Sequence, residues 1–294
     1  MSKLSQEKHW NDIHTREKEG LSRSHHTAAD ALKRLLGRTF RERMGAYDDY
    51  LLWKVIFPQH IPDLFAAKVV EVGSAPGEFL VRFGQTYGCV PYGLDYSEVG
   101  VEMNRQTFEK NGFNPDNVIC ADFFSIDFHD QRKEEFDAVI SRGFIEHFTD
   151  VDAVIDRHME ILKPGGLLIV SIPNLRGVNY GLARLFDNGA IPRHNIGIMS
   201  KAAFRKLFDR QDLEAAFCDY YGTFSFYLFT ADPSKLKQMG LKLSHRLQPF
   251  LNVAFRTILG NKGYEHGFFS PTLLYIGRKV GKGAEPGARR YGRV

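Results

Sequence analysis

Residues 69–77, Val69-Val70-Glu71-Val72-Gly73-Ser74-Ala75-Pro76-Gly77, constrain this chain more than any other stretch. Valines around a single acid read as a buried strand, since β-branched residues fit a pleated, covered surface. The strand runs into a turn of small residues, and a helical pattern starts at Glu78. Glycine lets the backbone bend sharply and approach a ligand closely. A helix opening there offers unbonded N–H groups and the positive end of its dipole, which suit an anion. A strand turning directly into a helix is half of a βαβ unit and predicts a parallel sheet covered on both faces.

The alternation continues along the chain. Strands are expected over 89–95, 117–121, 136–141 and 166–172, with helices near 78–87, 98–110 and 151–162. Leu162-Lys163-Pro164-Gly165-Gly166 closes one helix and turns into the next strand. Right-handed crossovers then give a doubly wound α/β fold, Rossmann-like in outline.

Two further strand ends carry acids. Tyr92-Gly93-Leu94-Asp95-Tyr96-Ser97 puts a carboxylate about 20 residues beyond the glycine turn, where an acid can hold ribose hydroxyls. Cys120-Ala121-Asp122-Phe123 sets an acid beside an aromatic ring, the pair that an adenine needs. Acids are poor strand formers and are seldom buried without partners, so three at one sheet edge indicate a binding site. The turn lacks the G-x-G-x-x-G pattern of nicotinamide-binding proteins, and no Gly-Lys-Ser/Thr follows it as in a phosphate loop.

Taken together, these segments resemble the class I S-adenosylmethionine-dependent methyltransferase family, in its small-molecule branch of ubiquinone-type and glycan-associated enzymes. Glu71-Val72-Gly73-Ser74-Ala75-Pro76-Gly77 matches the family's first motif, with Ser74 and Pro76 departing from its commonest form. Phe136–Ser141 with Arg142-Gly143-Phe144-Ile145-Glu146-His147, and Leu162-Lys163-Pro164-Gly165-Gly166, are typical of that branch. The match covers roughly residues 66–175. It implies a mostly parallel seven-stranded sheet and S-adenosyl-L-methionine as cofactor. Glu71, Gly73, Ser74, Ala75 and Gly77 would face its methionine part, Asp95 with Tyr96 its ribose, and Asp122 with Phe123 its adenine; Ser141 completes the set at the end of the fourth strand.

An activated methyl asks the protein mainly to align an acceptor and exclude water. A hydroxyl acceptor must also lose a proton, for which histidine is suited. His147, just past the fourth strand, is the first candidate, and His194 in Pro192-Arg193-His194-Asn195 the second. His25 and His26 come third and lack a spaced Cys or carboxylate partner for a metal. Ser141-Arg142 stands where metal-dependent catechol-type relatives place an acid, so no metal is expected.

The expected reaction is methylation of a hydroxyl on a small molecule, with a sugar or glycolipid precursor as the leading acceptor class. The alternatives are a C- or N-methyltransferase on a quinone-like or lipid acceptor, and a non-catalytic cofactor-binding partner protein. Arg176, Arg184 and Arg193 could pair with acceptor phosphates or carboxylates, or simply solvate a loop. Nucleic acid is not expected: net charge is only +4, and no Asp/Asn-Pro-Pro-aromatic segment follows the fourth strand.

Outside the core, residues 1–65 read as an N-terminal helical cap, 66–280 as the cofactor domain, 174–199 as a long loop or lid, and 281–294 as a disordered tail. Residues 234–259 form a basic amphipathic stripe. It is consistent with packing on the chain's own core, with a homodimer contact, or with peripheral contact to an anionic membrane. Cys89, Cys120 and Cys218 lie in strand-like runs without metal spacing and are expected to be small buried hydrophobes. With no apolar segment of signal-peptide type at the N-terminus, a cytoplasmic location is expected.

Overall fold

The computed structural model describes Lys3, Leu4 and residues 42–281. Its centre is a seven-stranded sheet in the order β3-β2-β1-β4-β5-β7-β6. Strand β1 (Lys68–Val72) pairs in parallel with β2 (Val90–Asp95) and β4 (Phe136–Arg142). Outward from these, β2 pairs with β3 (Val118–Cys120) and β4 with β5 (Leu162–Pro173), again in parallel. Only β7 (Thr272–Lys279) runs against the others, between β5 and β6 (Leu213–Tyr221). Strand order reverses between β1 and β4. At such a switch point the crossovers leave to opposite faces, and a crevice opens beyond the carboxyl ends of the strands.

Period-two alternation divides the core. Val70, Val72, Val139, Leu168 and Val170 pack on one face, whereas Val69, Ala138, Ile140 and Ile169 pack on the other. The second face is closed by a helix over residues 47–60, α1, made of Tyr47–Leu51, a π turn at Leu52–Ile56, and Phe57–His60. Its Trp53 and Phe57 meet Phe79 and Phe83 of α2 (Glu78–Tyr87). Pro58 follows directly on the π turn, and the helix runs through it to His60.

Helix starts follow local capping. Ser97 accepts from Gly100 N at 3.2 Å to open α3 (Glu98–Lys110), and Asp150 accepts from Ala153 N at 3.2 Å to open α5 (Val151–Ile161). Between them lies a short helix, α4 (Ile126–Arg132), too brief to show a helical period in the sequence.

Two expectations need correction. Residues 174–199 are not simply a loop, because they contain α6 (Val178–Phe186). Their polar residues are structural: the Asn174 side chain donates to Ser270 O at 2.7 Å, and that of Asn179 donates to Asn174 O at 3.0 Å. Ala183 and Phe186 supply the buried face. Of the cysteines, Cys89 is buried and Cys218 half-buried, but Cys120 is exposed, because β3 is a three-residue edge strand. A seventh helix, α7 (Lys201–Leu207), precedes β6, and an eighth, α8 (Lys235–Ile258), fills the connection from β6 to β7. His25, His26 and the expected tail at 282–294 lie outside the described residues.

Candidate functional site

At the switch point β1 delivers Glu71 to the sheet face shared with Val69, where it is 3% exposed. Burial pushes its carboxyl up to about 7, opposed by the Arg142 guanidinium 3.9 Å away and reinforced by Asp95. Arg142, the last residue of β4, also lies 3.8 Å over the Phe79 ring. Gly73 (φ +71°) and Gly77 (φ +92°) take the left-handed backbone that the strand-to-helix turn requires. A methyl group at Gly77 would lie 2.1 Å from Asn104 Oδ1. Asn104 is fully buried on α3, and its amide donates to Ser74 Oγ, so α3 locks the turn from behind. We expect Gly77→Ala to destabilise the fold by about 1–3 kcal/mol through backbone strain alone. A melting curve unchanged from wild type would show that this lock is unimportant.

Asp95 ends β2, and its carboxylate accepts from Ser97 N at 2.9 Å and from Ala75 N at 3.4 Å. It thus ties the second strand end to the glycine turn. Two cavities meet here, sharing Gly73, Ala75, Arg142 and Gly143 in their walls. The first, about 850 Å³ counted to its open mouth, continues past Asp95 and Tyr96 to Asp122, Phe123, Phe124, Phe144, His147 and Phe148. The second, about 1250 Å³ on the same measure, is walled by Glu71, the turn through Gly77, Trp53, Phe79, Arg82 and Tyr221.

The far end of the first cavity is aromatic. Phe124 and Phe144 present nearly parallel rings 6.4 Å apart, and Phe148 closes edge-on at 5.0 Å from Phe124. Phe123, 4% exposed, touches the cavity and packs most closely on the buried His158, with ring centroids 4.7 Å apart. Lys3 lies over the rings of Tyr96 and Phe124 and 3.9 Å from Asp122, while Leu4 N donates to His147 O at 2.7 Å. The cavity is therefore roofed by Lys3, with Leu4 anchored beside it, a contact that sequence reasoning did not anticipate.

Beyond β4, Glu146, His147 and His194 converge. Each offers one ligand atom, all within 4.8 Å of one another. The imidazole rings lie 4.6 Å apart. His147 Nδ1 is 2.8 Å from Arg193 O, and His194 Nδ1 is 2.7 Å from Ala190 O. A carbonyl can only accept, so in the neutral ring each Nδ1 carries the proton and each Nε2 the lone pair. Glu146 is 1% exposed, has no hydrogen-bond partner at Oε2, and burial pushes its carboxyl up to about 8. A divalent ion could use this set, since ring N–H groups donated to carbonyls are the usual support of histidine ligands. Ser141 and Arg142, where catechol-type relatives place a metal-binding acid, precede Glu146 by five and four residues and are not part of this trio.

All the expected site residues but Ser141 and His194 line the two cavities, and His194 reaches them only through the His147 ring. Ser141 is fully buried within β4, between Val72 and Val170, and lines neither cavity. Arg142, Phe124, Phe144, Phe148, Asn104 and Lys3 were missed. Asn104 left one signal, a polar residue on the apolar face of a helix. Arg193, for which acceptor binding and loop solvation were both open, pairs with Asp187 at 2.9 Å.

The family model described as "Methyltransferase domain" matches residues 21–217, well over half of the chain. The chain belongs to this methyltransferase family. Similar curated proteins include the ubiquinone biosynthesis O-methyltransferase of Bradyrhizobium sp. (strain ORS 278), 29% identical over 120 residues that cover 41% of this chain and 45% of that protein. The human mitochondrial ubiquinone biosynthesis O-methyltransferase is 28% identical over 136 residues, 44% of this chain and 36% of that protein. The match spans less than half the length of these relatives. Among solved structures, geranyl diphosphate C-methyltransferase from Streptomyces coelicolor, in complex with Mg²⁺, geranyl diphosphate and S-adenosyl-L-homocysteine, is similar with a TM-score of 0.51. Its sequence identity is 14%, covering 82% of this chain and 88% of that one. The cyclase SpnF is similar in fold to the same degree, TM-score 0.51 at 15% identity, covering 80% and 81%.

The methyltransferase's cofactor is S-adenosylmethionine, and the residues fit it. Gly73 borders both cavities, and a methyl group there would press on the Phe144 ring at 3.2 Å, so the turn is closed to a side chain. Asp95, between the turn and the aromatic slot, would hold the ribose, Phe124 and Phe144 would hold the base, and Glu71 with the turn through Gly77 would hold the amino-acid end. When bound, the sulfonium supplies an activated methyl group.

Proposed function

We propose that this methyltransferase methylates a hydroxyl of a small aromatic acceptor, with the histidine pair as proton sink. The observation that carries the proposal is His147 at the wall of the first cavity, with the His194 ring packed 4.6 Å behind it and each ring pinned through Nδ1 to a backbone carbonyl. S-adenosylmethionine, when bound, would supply the methyl group to the acceptor oxygen, and Nε2 of His147 would take the hydroxyl proton, with the His194 ring packed against it. A backbone-pinned ring keeps that lone pair aimed, and a general base placed this way contributes about 10²–10⁴ in rate. Arg142 and the aromatic walls exclude water and hold the acceptor in line.

A phenolic acceptor is favoured over a sugar or glycolipid. The similar O-methyltransferases are named for ubiquinone biosynthesis, and the second cavity, walled by the turn through Gly77, carries Trp53, Phe79 and Tyr221. The arginines that would have served a phosphorylated glycan do not face the cavities: Arg176 and Arg184 are exposed, and Arg193 is ion-paired.

The trio supports a second reading, in which Glu146, His147 and His194 hold a divalent ion that ionises the hydroxyl. Methyl-labelled S-adenosylmethionine, offered with phenols, sugars and lipid-linked glycans, tests both. We expect a labelled phenol ether, formed equally well in EDTA. Label only on carbon, nitrogen or a sugar would overturn the phenolic reading. Activity lost in EDTA and restored by zinc or manganese would assign the trio to an ion instead.

A further inference from the structure

Helix α8 is amphipathic the wrong way round for a helix that completes a core. Its inward face is largely polar: beside Leu241, which joins the core, Gln248 and Asn252 are buried, with Gln248 Oε1 accepting from Phe226 N at 2.7 Å and Asn252 Nδ2 donating to Met44 O at 3.1 Å. Its outward face is apolar. Leu236, Met239, Leu243, Leu247 and Phe250, spaced by three and four residues, are all between 51% and 73% exposed. At 1.5 Å per residue they form a stripe roughly 20 Å long. Soluble surfaces seldom expose a continuous apolar patch of this kind without a partner.

The charge of the helix says which partner. α8 contains no acidic residue in its 24 positions. Lys237 is held by Asp232 at 2.6 Å, and Arg256 lies 4.0 Å over the Tyr50 ring. Lys235, Lys242 and Arg246 are exposed, and none belongs to an ion pair among the described residues. Their spacing of seven and four residues puts them in one row, rotated about 60–100° from the centre of the leucine stripe on a helical projection. A cationic row flanking an exposed apolar stripe, along a helix lying on the protein surface, is the pattern of an interfacial helix. A second copy of the chain fits poorly, because a two-fold contact through this face would bring two cationic rows together with no acid on either helix. No helix among the described residues is long and apolar enough to cross a membrane, so contact through this face would be peripheral.

We propose that the outer face of α8 docks on an anionic lipid surface, with its axis in the plane of the interface and Lys235, Lys242 and Arg246 at the headgroups. The inference is independent of the acceptor's identity. The full chain should co-sediment with vesicles of phosphatidylcholine mixed with phosphatidylglycerol, and not with phosphatidylcholine alone. Added salt should weaken binding, because surface charge is screened. The combined substitution Lys235→Gln, Lys242→Gln, Arg246→Gln should weaken it by about 100-fold, from about fivefold for each cation. Leu243→Gln with Leu247→Gln should also abolish sedimentation. Both variants alter exposed positions, so melting temperature and S-adenosylmethionine affinity should stay as in wild type. Failure to sediment with the anionic vesicles, or binding that neither variant weakens, would overturn the proposal. So would a dimer in solution that Leu243→Gln with Leu247→Gln dissociates, which would make this face a self-interface.

Discussion

Asp95→Ala weakens S-adenosylmethionine binding by about 10²–10⁴-fold. The estimate assumes loss of two hydrogen bonds from ribose hydroxyls to a charged carboxylate, each worth about 1.5–3 kcal/mol. Asp95 is suited to that task because Ser97 N and Ala75 N fix its orientation from the protein side, at 2.9 and 3.4 Å. Those same bonds make a structural loss conceivable, so the titration is paired with a melting curve. Asp95→Asn keeps an acceptor oxygen without the charge and should fall between the two. Unchanged affinity in the folded Asp95→Ala protein would remove the ribose from this position.

The second large effect is on turnover. His147→Ala should lower kcat by about 10²–10⁴, the range for loss of a general base. Affinity for S-adenosylmethionine should stay within a few fold, since the predicted ribose contact lies at Asp95 rather than at the imidazole. His147 meets His194 within one cluster, so the double alanine variant should cost little more than the worse single one. Groups acting as a unit are not additive. If the single variants keep full kcat over the acid limb of the pH profile, neither imidazole takes the proton. The histidine pair would then be structural.

Much of the cofactor half was legible in the residues. β1, α2 and α3 follow from valine runs, a glycine turn and the cap at Ser97, all local signals that tertiary packing does not override. The acids at 71, 95 and 122 could be placed at one sheet edge, because parallel strands joined by right-handed crossovers end on the same side. What was not legible depends on contacts distant in sequence. Asn174 and Asn179 suggest a loop by composition, yet their partners are carbonyls at 267–270. Glu146 reads as a solvent-facing acid beside a histidine, and only the return of the chain at 190–194 turns it into part of a buried trio. Ser141 was placed at the site by its neighbours in the motif, but period-two alternation along β4 turns it into the sheet interior. For α8 the period was visible from the sequence but not its direction. Which face turns inward is fixed by Gln248 and Asn252 finding backbone partners, and nothing in the pattern of leucines announces that.

Fold alone does not decide the chemistry here, since a cyclase and a C-methyltransferase share it. The central claim is the cofactor and where it sits, and calorimetric titration of the full chain with S-adenosylmethionine, beside a parallel titration with NAD, tests it most directly. The account predicts saturable one-to-one binding of S-adenosylmethionine, loss of that binding in Asp95→Ala, and no heat from NAD. Saturable binding of NAD with none of S-adenosylmethionine would contradict it.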